Sequence, residues 1–359
     1  MNNLSEFKHF IGCDVSKYTL DFAIFEHGTN YRQFQHIQVS NDTEGFQTLR
    51  KWLRTFKINI KDAVIAMEHT GVYSNALSEW CSKKGVTFVL LHPLDVKNAG
   101  ARGRNKNDKI DAQFIADYAY TFREKLSPSK PESPVIKKLR ELYNERRLTV
   151  RIRTSYLNQI KTVTDSATRR RMEKMIGLLH DQIKIIEAAI KEIIEAEAPI
   201  KKTFELLTSI PGIGFINALV TIISTGNFTR FQTARQYAKF GCVSPLTNQS
   251  GISVKGGDHV SRAGHSEIKS VLTEGARCAI NRDAQLKAYY ERKQAQGKSH
   301  GCIMNAVKFK LICRMFAVIK RQTPHVDIEL YRREFCSIFG RALYRHVESV
   351  VLFRQTFGR

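Results

Sequence analysis

The sequence is poor in several features that would point to common protein classes. It has eight prolines and seven cysteines in 359 residues, and no two cysteines form a CxxC pair. An odd number of thiols without such pairs argues against a disulfide framework and against a zinc site, and it favours reduced thiols in the cytoplasm. The first ten residues lack the apolar core of a secretory signal.

A long uninterrupted apolar stretch is also missing. The one charge-free run that approaches the length of a membrane span, residues 206–229, contains Pro211 and three glycines. Such a run does not favour a membrane-spanning helix, which needs about 20 predominantly apolar residues. We therefore expect a protein that is not inserted in a membrane.

Acidic residues are few relative to basic ones. The chain has 34 Asp and Glu against 57 Lys and Arg, a formal net charge of +23, and the net charges of residues 1–125, 126–205 and 206–359 are +3, +6 and +14. An excess of this kind attracts nucleic acid or an anionic membrane surface. The apolar content of 42% supports folded domains and excludes a mainly disordered chain.

Hydrophobic periodicity predicts an α/β domain in the first third. Strand-like runs at residues 10–13, 19–25 and 31–39 precede a helix at 43–56, and two further strands then alternate with helices up to residue 122. This order gives a mixed sheet flanked by helices. It is the order of the RNase H-like (RuvC-like) fold, although many α/β folds share it.

The middle of the chain is predicted to be helical. A proline-rich segment at 127–134 ends the first domain, and residues 136–197 contain no proline and one glycine. Apolar residues at heptad spacing over 172–193 predict a coiled coil, either as an internal hairpin or as a dimer interface. The predicted domains are the α/β domain at 1–126, a linker and coiled coil at 127–203, a mainly α domain at 204–325 and a tail at 326–359.

Four carboxylates are expected to meet in the first domain. Asp14 ends the first predicted strand and Glu68 the fourth, so their side chains lie side by side if these strands are neighbours. Asp108 and Asp111 start a helix on one face, about 5 to 6 Å apart. Converging carboxylates repel one another unless cations neutralise them, and oxygen ligands favour Mg²⁺ or Mn²⁺, which suit phosphoryl transfer. Solvated acids and acids that only favour a helix start are the alternative.

The last domain offers two further motifs. Gly212 and Gly214 of IPGIG form a turn before a helix, which either presents backbone N–H groups to phosphate or packs two helices, and which resembles a helix-hairpin-helix element. Residues 240–272 are too polar for a core and contain several serines, none of which the residues alone select as a nucleophile. A basic amphipathic helix at 305–320, with Lys308 on its polar side, is a candidate nucleic-acid surface.

The motifs GCDVSK, AMEHTGVYS and RGRNKNDKIDAQFIADYA resemble those of the DEDD-type, RuvC-like transposases of bacterial insertion sequences, the one-ten family that includes the Piv-like invertases. The resemblance spans roughly residues 10–320. It implies that Asp14, Glu68, Asp108 and Asp111 are catalytic and bind the metal ions. It also implies that the flanking Lys106 and Lys109 contact phosphate.

A second block resembles the C-terminal domain of the same family, in which a serine followed by glycine attacks DNA and forms a covalent phosphoserine link. The matching residue is Ser250, followed by Gly251, with Lys255 and Arg262 in the basic run behind it. The resemblance implies donor and target double-stranded DNA, a noncoding guide RNA called the bridge RNA, and a homo-oligomer, either a dimer or a dimer of dimers. Such a recombinase would act in the cytoplasm, at the nucleoid.

Three other functions stay open. A metal-only, structure-selective nuclease such as a Holliday-junction resolvase would need the four acids but not Ser250. A Piv-like invertase would use both sites on fixed inverted repeats. A non-enzymatic nucleic-acid-binding protein would tolerate the loss of both sites.

Overall fold

The computed structural model describes residues 4–25, 34–68, 71–91, 96, 107–250, 254–260 and 265–326, with the backbone alone at 71–72, 245–250 and 254–260. The chain divides into two compact units, residues 1–132 and 133–359. Lys106, Gly251 and Arg262 lie outside the described residues, as does most of the tail predicted at 326–359.

The first unit is built on a five-stranded mixed sheet with the strand order β3-β2-β1-β4-β5. β1 is antiparallel to β2 and β2 to β3, whereas β4 is parallel to β1 and β5 to β4. This is the topology of the RNase H-like fold, as the sequence predicts. The strands are His9–Val15 (β1), Thr19–Phe25 (β2), Phe34–Ser40 (β3), Ala63–Glu68 (β4) and Thr87–Leu91 (β5).

Three α-helices accompany this sheet in the described residues, together with two short 3₁₀ turns at Ile60–Asp62 and Gly71–Ser74. They are Thr43–Thr55 (α1), Asn75–Lys84 (α2) and Asp108–Thr121 (α3). Gly12 of β1 lets α3 lie directly on the sheet, because a Cβ atom there would be 2.0 Å from the Ala112 carbonyl oxygen and 2.4 Å from the Ala116 nitrogen. This close packing fixes the start of α3 relative to the end of β1.

The second unit begins with a helical hairpin, residues 134–196, which we call the stalk. Its helices are Pro134–Gln159 (α4) and Ser166–Ala196 (α5), and Arg146 Nε donates to Glu187 Oε1 across them at 2.7 Å. Leu139 of α4 and Ile190 of α5 lie in one buried core. Further along the hairpin, Leu148, Leu157 and Leu178 are exposed. The seam buries Ile194, whereas the heptad predicts Ile193, because a straight helix drifts against a seven-residue repeat.

The rest of the second unit is mainly α, as predicted, and shares one apolar core with the base of the stalk. A two-stranded antiparallel hairpin, Pro245–Ser250 (β6) and Val254–Val260 (β7), interrupts the helices. The sequence analysis does not predict this hairpin, because its polar, glycine-rich strands lack apolar alternation. The helices are Ala198–Thr208 (α6), Phe215–Thr225 (α7), Ala234–Phe240 (α8), Ser266–Arg282 (α9), Ala284–Ala295 (α10) and His300–Arg321 (α11).

None of the helices in the described residues is long and apolar enough to cross a membrane. The described residues also include six cysteines, and all six are free thiols.

The IPGIG turn connects α6 to α7. Gly212 has a φ of +91°, and a Cβ there would lie 2.4 Å from the Gly275 carbonyl oxygen of α9. Helix packing therefore accounts for glycine at position 212. Gly214 differs, since among the described residues no atom lies within 4 Å of its would-be Cβ, and it is the N-cap of α7.

Lys308 is not on the polar surface of its helix, where the sequence analysis places it. Its side chain is 4% exposed, and its Nζ donates to Thr273 Oγ1 at 3.2 Å. Burial, and secondarily repulsion from Lys269, lowers the pKa of Lys308 to about 8. Arg314 also turns away from solvent to pair with Asp283 at the start of α10. The basic surface of α11 is therefore narrower than its sequence indicates.

Candidate functional site

Asp14 and Glu68 lie at the ends of neighbouring parallel strands. The register of β1 and β4 pairs Cys13 with Met67, so the next residues, Asp14 and Glu68, stand at the same level. Cys13 and Met67 both belong to the apolar core on one side of the sheet. Since side chains alternate along a strand, Asp14 and Glu68 lie on the other side, where α3 packs.

Asp108 and Asp111 lie in the first turn of α3. The side chain of the N-cap Asn107 accepts a hydrogen bond from the Lys109 backbone N–H at 2.9 Å, which fixes where the helix starts. Asp108 is exposed and Asp111 is partly buried. Because α3 lies on β1, its first turn brings both carboxylates toward Asp14.

The pKa of Asp14 shows that these carboxylates act on one another. Burial, followed by repulsion from Asp108 and then from Asp111, raises it from 3.8 to about 6, although the backbone N–H of Val15 stabilises the ionised form. Three of the four acids that the sequence analysis singles out are therefore electrostatically coupled. The register of β1 and β4 places Glu68 beside Asp14.

Asp21 is a fifth carboxylate of this region, which the sequence analysis misses. It stands directly opposite Asp14 in the antiparallel pair of β1 and β2, is 4% exposed, and also contributes to the raised pKa of Asp14. His36 Nε2 lies 2.8 Å from one of its carboxylate oxygens, and Gln38 Nε2 donates to the other at 3.0 Å. Pairing the two predicted strands in this register would have placed Asp21 opposite Asp14.

The donor set suits a hard divalent cation, because it consists of carboxylates and holds negative charge in a partly buried place. In the part of the chain that the structure describes, no three His, Cys, Asp or Glu side chains are close enough to ligate one ion. The acids thus share one face of the sheet without completing a coordination sphere there.

Ser250 lies in the second unit, at the end of β6. Its backbone is in register with Val254, and the neighbouring Gln249 is in register with Lys255. The three residues between the strands, among them Gly251, lie outside the described residues. Ser250 is therefore the last residue of β6.

Contacts at its base hold this hairpin segment in place. The ring centroids of Phe240 and His265 are 4.2 Å apart, and the His265 backbone N–H donates to the Phe240 carbonyl at 3.4 Å. His265 is also the N-cap residue of α9. These contacts thus hold together the two ends of the segment that contains β6 and β7.

Comparisons with known proteins cover both regions. Residues 11–168 match a family model described as transposase, and residues 204–291 match one described as transposase of the IS116/IS110/IS902 family. The pilin gene-inverting protein of Moraxella bovis is 26% identical over 327 residues, which cover 88% of this chain and 97% of that protein. The transposase for insertion sequence element IS1111A of Coxiella burnetii is 26% identical over 278 residues, covering 67% and 73%. The Thermus thermophilus RuvC structure matches 33% of this chain and 98% of its own, with 13% identity and a TM-score of 0.25.

Proposed function

Because the chain belongs to the IS110 family of transposases, enzymes that cut and rejoin DNA, we propose that it works with two chemical groups. The first is the carboxylate site of Asp14, Glu68, Asp108 and Asp111, and the second is the hydroxyl of Ser250. The observation that carries the proposal is the raised pKa of Asp14. Burial and two neighbouring acids raise this pKa to about 6. A carboxylate in this state is typical of functional sites rather than of a solvated surface.

In this proposal the four acids hold Mg²⁺ or Mn²⁺. Such an ion, when bound, neutralises charge on the phosphate oxygens of the scissile link. Asp14 and Glu68 supply ligands from rigid strand ends, whereas Asp108 and Asp111 supply them from the first turn of α3. His36 and Gln38 hold Asp21 behind Asp14, so the site keeps its negative charge in a fixed place.

Ser250 is the proposed nucleophile. Its hydroxyl loses its proton as the oxygen attacks the DNA phosphorus, the phosphorus–oxygen bond to one DNA strand end breaks, and the released DNA oxygen takes up a proton. Rejoining reverses these steps, as a DNA hydroxyl attacks the phosphoserine and frees Ser250. The proposed phosphate contacts around the two groups come from Lys106, Lys109, Gly214, Gly251, Lys255 and Arg262.

Cation binding tests the carboxylate site without relying on activity. Titration with MgCl₂ or MnCl₂ should stabilise the parent by roughly 1 to 3 kcal/mol at concentrations well above the dissociation constant, because the ion binds only the folded site. The Asp14→Asn, Asp108→Asn double variant should lose most of this gain. The measurement is thermal unfolding with and without each ion; equal gains in both proteins would overturn the metal assignment. Removing the ion with a chelator should also stop cleavage.

Guidance by a noncoding bridge RNA is the proposed source of sequence choice, and a homodimer or a dimer of dimers at the nucleoid is the proposed working form. Base pairing between this RNA and DNA would then select the donor and target sequences, while the protein contacts the nucleic-acid backbones. A DNA invertase acting on fixed repeats is the second candidate, favoured by the match to the pilin gene-inverting protein over 88% of this chain.

RNA that co-purifies with the protein separates these two functions. A guided transposase should retain one discrete RNA that survives DNase, and recombination should stop after RNase treatment and return with that RNA. Random cellular RNA, or recombination that RNase leaves unchanged, would favour the invertase.

A further inference from the structure

The far end of the stalk is more basic than its base. Arg153 Nη1 lies 3.3 Å from His180 Nδ1 across the hairpin, so residues 153–180 form one end, which we call the stalk tip. It contains six basic and two acidic residues, whereas the rest of the stalk, 134–152 and 181–196, contains eight basic and six acidic residues. The net positive charge of the stalk is therefore concentrated at its tip.

The basic side chains of the tip also differ in their partners. At the base, Arg146 pairs with Glu187 at 2.7 Å and Arg147 with Glu267 at 2.9 Å. Within the described residues, none of the six basic side chains of the tip is within salt-bridge distance of a carboxylate. Arg171 donates to the Thr168 hydroxyl, and Arg169 donates to backbone carbonyls beyond the end of α4. The charge at the tip is thus unneutralised.

The placement of these charges is unfavourable for the helix itself. α5 begins at Ser166, and Arg169, Arg170 and Arg171 follow within its first two turns, with no acid in the first turn. Positive charges near a helix N-terminus oppose the helix dipole, and neighbouring arginines repel one another. An anionic partner would relieve the repulsion among these arginines.

We propose that the stalk tip binds the phosphate backbone of a nucleic-acid duplex. This inference rests on the proposed function, which supplies duplex DNA and structured RNA as partners sharing this chemistry. The tip offers no acidic side chains beyond Asp165 and Glu173, and Asp165 already caps α5 by accepting from the Thr168 N–H at 2.7 Å. Contacts of this kind bind phosphate groups and do not distinguish one base sequence from another.

Charge neutralisation at the tip tests the proposal. The tip variant is Arg170→Gln, Arg171→Gln, Lys174→Gln, three exposed positions on one side of α5 where glutamine keeps the helix. The control variant, Lys138→Gln, Lys184→Gln, Lys202→Gln, removes the same charge from exposed lysines outside the tip. Binding is measured by fluorescence anisotropy with labelled 30-base-pair DNA and RNA duplexes of one sequence, over a salt series.

We expect the tip variant to bind about tenfold more weakly than the control variant. The slope of the logarithm of the binding constant against the logarithm of the salt concentration should be smaller in magnitude by about 2 to 3, because each lost phosphate contact removes about 0.9 from it. Loss on both duplexes, or on one of them, supports the proposal and identifies the source of the phosphates. Binding within twofold of the control on both duplexes overturns it. So does a change in self-association, measured by sedimentation, without a change in duplex binding, because the tip would then be a protein interface.

The failure of this inference and the failure of the proposed function are distinguishable. A parent that binds through its tip but never cuts DNA would overturn the proposed function alone. If the parent cuts DNA normally and the tip variant binds the duplexes like the control variant, only the proposal for the stalk tip is overturned.

Discussion

Replacing Asp14 with Asn should reduce DNA cleavage by about 10³-fold or more while the protein stays folded. The substitution keeps the shape of the side chain and removes the one carboxylate that both α3 acids repel. Groups that act as a unit in catalysis typically show losses of this size or larger when one is removed. Single-turnover cleavage of a labelled DNA substrate in the presence of Mg²⁺ measures the loss. Cleavage within tenfold of the parent would contradict the carboxylate site.

The same substitution should stabilise the protein at neutral pH. Because the folded pKa of Asp14 is raised from 3.8 to about 6, the folded state binds this proton more tightly than the unfolded state does. The parent therefore loses stability as the pH rises from about 4 to 6, and carries the full cost above 6. The Asp14→Asn protein should be more stable by about 1 to 3 kcal/mol at pH 7 and equal to the parent below pH 4, measured by urea unfolding without divalent cations.

Asp62 provides the matched control. This acid immediately precedes β4, at the opposite end of that strand from Glu68, and it is exposed. Asp62→Asn should leave cleavage within a few-fold of the parent. A similar loss of cleavage in both variants would show that the substitutions act through general charge rather than through the site.

Replacing Ser250 with Ala should abolish strand joining and the covalent protein–DNA adduct, each by about 10³-fold or more. The reason is chemical, since alanine has no oxygen with which to form the phosphoserine link. The backbone of Ser250 continues β6 in register with Val254, and alanine accommodates that geometry. Joined DNA on native gels and protein–DNA adduct on denaturing gels measure the two effects.

Ser244 is the control serine, because it precedes β6 by one residue and lies in the same polar segment. Ser244→Ala should keep joining and adduct within a few-fold of the parent. A metal-only nuclease would instead keep cutting DNA in the Ser250→Ala protein. Mixing the Asp14→Asn and Ser250→Ala proteins should restore part of the joining, because in the proposed homo-oligomer each variant supplies the group that the other lacks.

The first unit was predictable from sequence because its strands carry clear hydrophobic patterns. Asp14 and Glu68 end two apolar strands, and the parallel register of those strands follows from the order of elements. Asp21 was missed because a single acid inside an apolar strand gives no local indication of function. Its role becomes visible only when the hairpin register sets it opposite Asp14 and β3 supplies His36 and Gln38.

The second unit was less predictable because packing overrides its local patterns. Lys308 falls on the polar side of an amphipathic helix in the sequence, yet α9 covers it and Thr273 binds its ammonium group. β6 and β7 have polar sequences, so their pairing depends on backbone hydrogen bonds and on the closed base between Phe240 and His265 rather than on alternation. Gly212 is required by its positive φ and by the approach of α9, which no turn motif specifies.

In the proposed mechanism, a carboxylate site and one serine act together on DNA. The direct measurement is mass spectrometry of the protease-digested protein–DNA adduct, formed with Mg²⁺ by the parent and by the Asp14→Asn variant. We predict one DNA-linked peptide, modified on Ser250, which is abundant in the parent and reduced by about 10³-fold or more in the variant. An adduct on another residue, or DNA cut by the parent without any adduct, would contradict the account.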